Sequence, residues 1–282
     1  MKNFSSSISG SNVNIVQSGG KTWINGVLYE GLHGSVHVTT INGKMYINGH
    51  PEEHYRKGGQ EGSTDYHNGS GIAATETRTV EACKGFAVYL PCEVRVAQST
   101  SASIEIEGDD NLLSLISTEV SGEILTIGLK PGVSVSMVCP FKIRLFLPVI
   151  EQIKVAGSDT GVKASEVITG RMLAIVVSGI GKIELPVQVK SVDVKMSGQG
   201  SCSLKGEATL QTMKISGQGS IHAGNLKSER SEITISGQGN CSVWVTEEMS
   251  AKISGMGNIS YKGKPRISQK ISGLGKINAV DF

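Results

Sequence analysis

From Val177 onward the chain alternates apolar and polar residues in phase with a returning tetrapeptide. Ser-Gly-x-Gly starts at Ser178, Ser197, Ser216, Ser236, Ser254 and Ser272, so the spacings are 19, 19, 20, 18 and 18 residues. The residue before each Ser is apolar: Val177, Met196, Ile215, Ile235, Ile253 and Ile271. Five residues after each Ser stand Ile183, Cys202, Ile221, Cys241, Ile259 and Ile277, and seven after stand Leu185, Leu204, Ala223, Val243, Tyr261 and Ala279. The position between those two is polar in every copy, from Glu184 to Asn278. A strict period of two predicts short strands with one buried and one wetted face. A repeat of this length is too short for a helix pair or a propeller blade and suits one coil of a β-solenoid. Successive coils would stack at about 4.8 Å, so six of them make a rod on the order of 30 Å long.

The paired glycines are predicted to form the corners. They are Gly179 and Gly181, Gly198 and Gly200, Gly217 and Gly219, Gly237 and Gly239, Gly255 and Gly257, and Gly273 and Gly275. Two reasons suggest themselves: a sharp corner that needs positive φ, and stacked corners that leave no room for a Cβ. Stacking also makes three columns. Cys202 and Cys241 share one inward position with Ile221 between them, on the order of 10 Å apart, too far for a disulfide. Gln199, Gln218 and Gln238 form an outward ladder whose amides are expected to hydrogen-bond along the axis. Two residues before each Ser, Val176, Lys195, Lys214, Thr234, Lys252 and Lys270 form another outward column. Like charges at strand spacing repel, so Lys195, Lys214, Lys252 and Lys270 read either as a strip for an anionic polymer or as a solvated face that blocks lateral pairing.

Composition agrees with an all-β chain of tight turns. Of 282 residues 36 are Gly and 7 Pro, aromatics make up 5% and charged residues 18%. The net charge of +2 does not call for a nucleic-acid partner. It is uneven, since residues 171–282 hold 14 Lys and Arg against 8 Asp and Glu. The five Cys form no C-x-x-C pair. No apolar run approaches the roughly 20 residues that span a bilayer, so no membrane insertion is expected. No apolar stretch follows Lys2, which reads as no secretory signal and a cytoplasmic protein.

Residues 1–70 read as a separate Gly- and His-rich β segment that ends in a linker. Gly20-Lys21-Thr22-Trp23-Ile24-Asn25-Gly26 and Gly43-Lys44-Met45-Tyr46-Ile47-Asn48-Gly49 duplicate one another and predict two hairpins or two irregular coils. Five of the six His lie here: His33, His37, His50, His54 and His67. Glu52, Glu53 and Asp65 lie near them. Residues four apart on a strand sit about 13 Å apart, so solvated loop histidines are expected and no metal or cofactor.

Residues 71–282 make the second part, with lead-in strands over 79–150 and solenoid coils over 151–282. Phe86-Ala87-Val88-Tyr89-Leu90, Val94-Arg95-Val96-Ala97-Gln98 and Ile104-Glu105-Ile106-Glu107 open it, and Gly108-Asp109-Asp110-Asn111-Leu112 and Leu147-Pro148-Val149-Ile150 link it to the coils. With the closing Ser260-Tyr261-Lys262-Gly263-Lys264-Pro265, these segments resemble, in order and spacing over about residues 79–282, the auto-transporter adhesin head GIN-domain family of bacteria. The resemblance implies a right-handed parallel β-solenoid, members that are typically exported or on the cell surface, an adhesion-like role and no catalytic residues. G-x-S-x-G and H-E-x-x-H are absent from the sequence, and the solenoid's acids Glu184, Asp193, Glu207, Glu229 and Glu232 do not recur at one column with a partner. The expected function is a non-enzymatic binding or adhesion-like module for a glycan or protein ligand. The alternative is a self-associating scaffold or small homo-oligomer, and the distant one a polysaccharide-acting enzyme.

Overall fold

The structure is a computed structural model. It describes the strands Ile15–Ser18, Lys21–Ile24, Val27–Tyr29, Val38–Ile41, Lys44–Ile47 and His50–Pro51, and then residues 65–280. The chain divides into two compact units, 1–67 with 130–134, and 68–129 with 135–282.

In the first unit each duplicated segment forms the middle strand of a three-stranded antiparallel meander. Lys21–Ile24 pairs with the strands on either side, and Lys44–Ile47 does the same in the second sheet. Of the two readings offered by the sequence, hairpins are what form. The Asn-Gly turns at 25–26 and 48–49 lie outside the described residues.

The second unit is a β-solenoid of about seven turns. Each coil pairs in parallel with the next: Ile180–Met196 on Gln199–Ile215, that on Gln218–Ile235, and that on Gln238–Ile253. The register follows the repeat. Ile183, Cys202, Ile221, Cys241, Ile259 and Ile277 oppose one another in turn, and the first five are buried. Burial at about 25 cal/mol per Å² of apolar surface makes these columns the main source of cohesion. They also explain Cys202 and Cys241 as core residues, whose thiols burial pushes up to about 12.

Of the two reasons suggested for the glycines of the Ser-Gly corners, the stacking one holds and the positive φ one does not. Among the described glycines positive φ occurs at Gly71, Gly122, Gly132, Gly206 and Gly263, and at none of the corner pairs. What excludes a side chain is the coil beneath. A Cβ on Gly198, Gly217, Gly237, Gly255 or Gly273 would lie closer than 3.0 Å to a backbone carbonyl oxygen of the previous corner. Left-handed backbone is used instead at a later corner, by Gly206 and Gly263.

The coils differ in length, and register shifts on both sides of Gln218–Ile235 absorb the difference. Gln218–Ile235 has 18 residues where Gln238–Ile253 has 16, and the register shifts between Ala223 and Lys227 and again between Ser228 and Arg230. Beside this bulge the Trp244 carbonyl accepts a hydrogen bond from Ser228 Oγ at 3.0 Å, and Ser228 Oγ in turn accepts one from Gln211 Nε2 at 2.7 Å. Gln211 and Ser228 are buried; these bonds satisfy Gln211 Nε2 and Ser228 Oγ inside the core, whereas Gln211 Oε1 has no hydrogen-bond partner among the described residues.

The parallel stack begins before residue 151. Gly85–Val88 pairs in parallel with Gln152–Val155, and Glu93–Gln98 with Thr160–Lys163. Residues 85–98 thus make a coil without the Ser-Gly-x-Gly motif, using Phe86, Val88 and Val94 as its inward residues. Ile124–Leu129 and Lys142–Leu147 cover its outer edge. At the other end nothing in the described residues covers the last coil. Ile267 and Ile271 stand 40% and 42% exposed, although Met249 and Ile253, one coil earlier in the same columns, are 1% exposed.

Candidate functional site

The basic column forms as the repeat predicts. Lys195 lies opposite Lys214, Lys214 opposite Thr234, Thr234 opposite Lys252, and Lys252 opposite Lys270. All four lysines are exposed. Lys195 Nζ is 3.3 Å from Asp193 Oδ2. Lys214, Lys252 and Lys270 have no carboxylate within ion-pair distance among the described residues, so three ammonium groups line one ridge without neutralisation. An exposed lysine with no partner keeps a mobile side chain, which lets the ridge adapt to an irregular array of anions.

The Gln ladder is also in register, Gln199 to Gln218 to Gln238, and continues into Met256 and Leu274. The amides do not bond to one another as expected. The bond along the axis forms two residues further on, where Asn258 Nδ2 donates to Asn240 Oδ1 at 3.2 Å. An outward Gln is long enough to turn into solvent, whereas Asn holds its amide close to the sheet, at the height of its neighbour.

A second basic feature escaped sequence reading. Lys262 Nζ lies 4.3 Å and Lys227 Nζ 5.9 Å from the Trp244 ring centroid. The three residues come from successive coils, and only the bulge at 223–227 brings Lys227 opposite Trp244.

No two acids of the coils are direct neighbours in the register. Glu184 opposes Ser203, Asp193 opposes Thr212, Glu207 opposes Gln188 and Lys227, and Glu232 opposes Thr212 and Ser250. Glu184 is held below its ordinary value by a hydrogen bond from Lys182, which lies 2.5 Å away. Only Asp193 and Glu232 among them share a column, two coils apart with Thr212 between them.

His33, His37, His54, Glu52 and Glu53 lie outside the described residues, and of His50 only the backbone is described. His67 Nε2 is 3.1 Å from Asp65 Oδ2. No group of three His, Cys, Asp or Glu that could hold a metal occurs among the described residues.

The acidic run Asp109-Asp110-Asn111 is a structural knot. Asp109 is buried, and its carboxylate accepts backbone hydrogen bonds from Gly71, Val138 and Cys139 at 2.8, 2.9 and 3.0 Å. Asn111 accepts from Ser70 N and donates to the Asn68 carbonyl. Burial by itself would raise the Asp109 pKa, but the three N–H donors prevail and hold it below the ordinary 3.8. A lowered folded-state value stabilises above the unfolded value and is lost as pH falls through the folded one. Thermal midpoints of the wild type are therefore expected to fall on the acid side of about pH 4. Asp109→Asn should melt lower at neutral pH and show a flatter acid limb. An acid limb as steep as wild type would place the titration elsewhere.

Comparison with known proteins agrees with this geometry. A family model described as "Putative auto-transporter adhesin, head GIN domain" matches residues 84–265. The crystal structure of a "putative adhesin" from Bacteroides fragilis superposes with a TM-score of 0.73 at 26% identity, covering 76% of this chain and 100% of that one. A "putative adhesin" from Parabacteroides distasonis gives 0.61 at 25%, covering 77% and 100%. A "putative lipid binding protein" from the same species gives 0.62 at 22%, again covering 77% and 100%, which shows the shared fold alone. No curated protein matches the chain in sequence.

Proposed function

Because the chain belongs to the bacterial family described as "Putative auto-transporter adhesin, head GIN domain", we propose that it is a non-enzymatic binding module of the adhesion type whose basic ridge contacts an anionic polymer. The observation that supports the ridge as contact surface is the run of Lys214, Lys252 and Lys270 without carboxylate partners, on a scaffold that sets Lys252 and Lys270 at strand spacing and Lys214 two coils from Lys252. A polymer with charges along its length can meet several coils at once, so weak single contacts add up. Adhesin relatives favour an exported or surface location over the cytoplasmic one read from the first residues. No helix among the described residues is long and apolar enough to cross a membrane.

The test is retention on immobilised heparin. Wild type should be retained at low ionic strength and released as salt screens the contact. A variant carrying Lys214→Gln, Lys252→Gln and Lys270→Gln should elute about tenfold lower in affinity, each lost contact being worth a few tenths of a kcal/mol to about 1 kcal/mol. Equal retention of the two proteins would remove the ridge as the contact surface.

A further inference from the structure

The strands that follow each Ser-Gly corner carry a surface of another kind. Its first outward column runs Ile180, Gln199, Gln218, Gln238, Met256, Leu274. The second, two residues on, contains Ser201, Ser220, Asn240 and Asn258, and the third Ser203, His222, Ser242 and Ser260. Across these four coils no outward position of the face is an Asp, Glu, Lys or Arg. Charge returns only at the borders, as the Lys182–Glu184 ion pair on one side and Lys276 on the other.

Glycine backbone lines the middle of this face. Gly200, Gly219, Gly239 and Gly257 stack between the first and second columns and floor a groove of about 500 Å³ that runs along the solenoid axis. The Gln218 and Gln238 side chains wall it on one side and Asn240 and Asn258 on the other. The amides of Gln199, Gln218 and Gln238 are exposed and make no hydrogen bond among the described residues, so their donors and acceptors are open. Each amide offers two N–H donors and a carbonyl acceptor, and each Ser a donor and two lone pairs. Such groups suit vicinal hydroxyls, which also donate and accept. They give no advantage to a charged group.

The same column ends in apolar side chains that solvent reaches: Ile180 at 54%, Met256 at 49% and Leu274 at 79% exposure. Surface apolar residues aligned with amides along one groove match a ligand whose ring carries C–H faces as well as hydroxyls. A polymer of such rings that lies along the axis meets equivalent amides on each coil, at about 4.8 Å per step. That step is of the same order as the advance per residue in an extended sugar chain.

We propose that this groove binds a neutral polysaccharide, with Gln218, Gln238, Asn240 and Asn258 hydrogen-bonding its hydroxyls and Met256 and Leu274 packing on its C–H faces. The site is separate from the lysine ridge and does not depend on the ridge being a contact surface.

The experiment is affinity gel electrophoresis of the full chain in gels containing galactomannan, xyloglucan, dextran or laminarin, with polygalacturonate as the charged control. At least one neutral polymer should retard the protein, and high salt should leave that retardation unchanged. The double variant Gln218→Ala, Asn240→Ala should weaken it roughly tenfold, since each lost hydrogen bond costs about 1 kcal/mol. Both positions face outward, and circular dichroism will show whether the coils remain intact. Met256→Ala supplies an independent arm and should weaken binding several-fold. Lys214→Gln with Lys252→Gln should leave it unaffected. Retardation by no neutral polymer, retardation that salt abolishes, or retardation untouched by the double variant would each overturn the proposal. So would a change of oligomeric state in the double variant by light scattering, because the face would then be covered by a second copy of the chain.

Discussion

Gly198→Ala is expected to destabilise the protein by on the order of 4 kcal/mol, a loss reserved for lesions that leave the structure no room to relax. The added methyl would lie closer than 3.0 Å to the carbonyl oxygen of Gly179 and to the backbone of Ser178. Both neighbours are main chain, held by the bonds from Gln199 N to the Gly179 carbonyl and from Ser197 N to the Val177 carbonyl. Relief therefore means separating two coils, which would break the ladder on both sides of the corner. Gly161→Ala is the control. No atom lies within 4 Å of the added Cβ, so its effect should stay within about 0.5 kcal/mol. Guanidinium denaturation followed by circular dichroism measures both. If Gly198→Ala were as mild as Gly161→Ala, close corner stacking would not be what requires the glycines.

Ile221→Ala should cost about 3–4 kcal/mol, the range for truncating a large buried side chain whose surroundings cannot collapse. Ile221 is 0% exposed and lies between Cys202 and Cys241, themselves 0% and 1% exposed. Collapse into the void is opposed by the ladders above and below, which fix the spacing of the coils. The same substitution at Ile277, in the same column but on the last coil and only partly buried, should cost roughly 1 kcal/mol. The ratio between the two is the informative quantity, because chemistry and column are constant and only the cover differs. A comparable loss at both positions would show that the last coil is covered in solution. A quasi-one-dimensional stack is stabilised mainly between neighbours, so the Ile221 lesion should also broaden the transition as coils on either side of it uncouple.

The two stability experiments and the two binding experiments probe different faces of one object. Gly198 and Ile221 concern corner and core. The lysine ridge and the amide groove concern outward positions, where substitution leaves the packing alone. Loss of binding with unchanged denaturation midpoints is therefore the expected signature for the ridge and groove variants.

The solenoid, its register and its two polar columns were legible in the chain alone. The reason is the period: once coils of 18 to 20 residues stack in parallel, residues at equal offsets from Ser-Gly must meet, as Lys252 meets Lys270 and Cys202 meets Ile221. Contacts without that periodicity were not legible. Residues 85–98 coil like the rest, yet carry no glycine corner, and their place was decided by pairing with Gln152–Val155 and Thr160–Lys163 far along the chain. The structural role of Asp109 appears only when folding brings the N–H groups of Gly71, Val138 and Cys139 around it. Lys227 reaches Trp244 only because one coil is longer than the next. The sign of φ at the corners was likewise decided by the folded backbone, although the close stacking that demands glycine was legible in the repeat. A repeat sets which residues are neighbours because stacking is translation by a fixed step. Distance, burial and charge pairing depend on where that step is broken, and only the tertiary structure decides that.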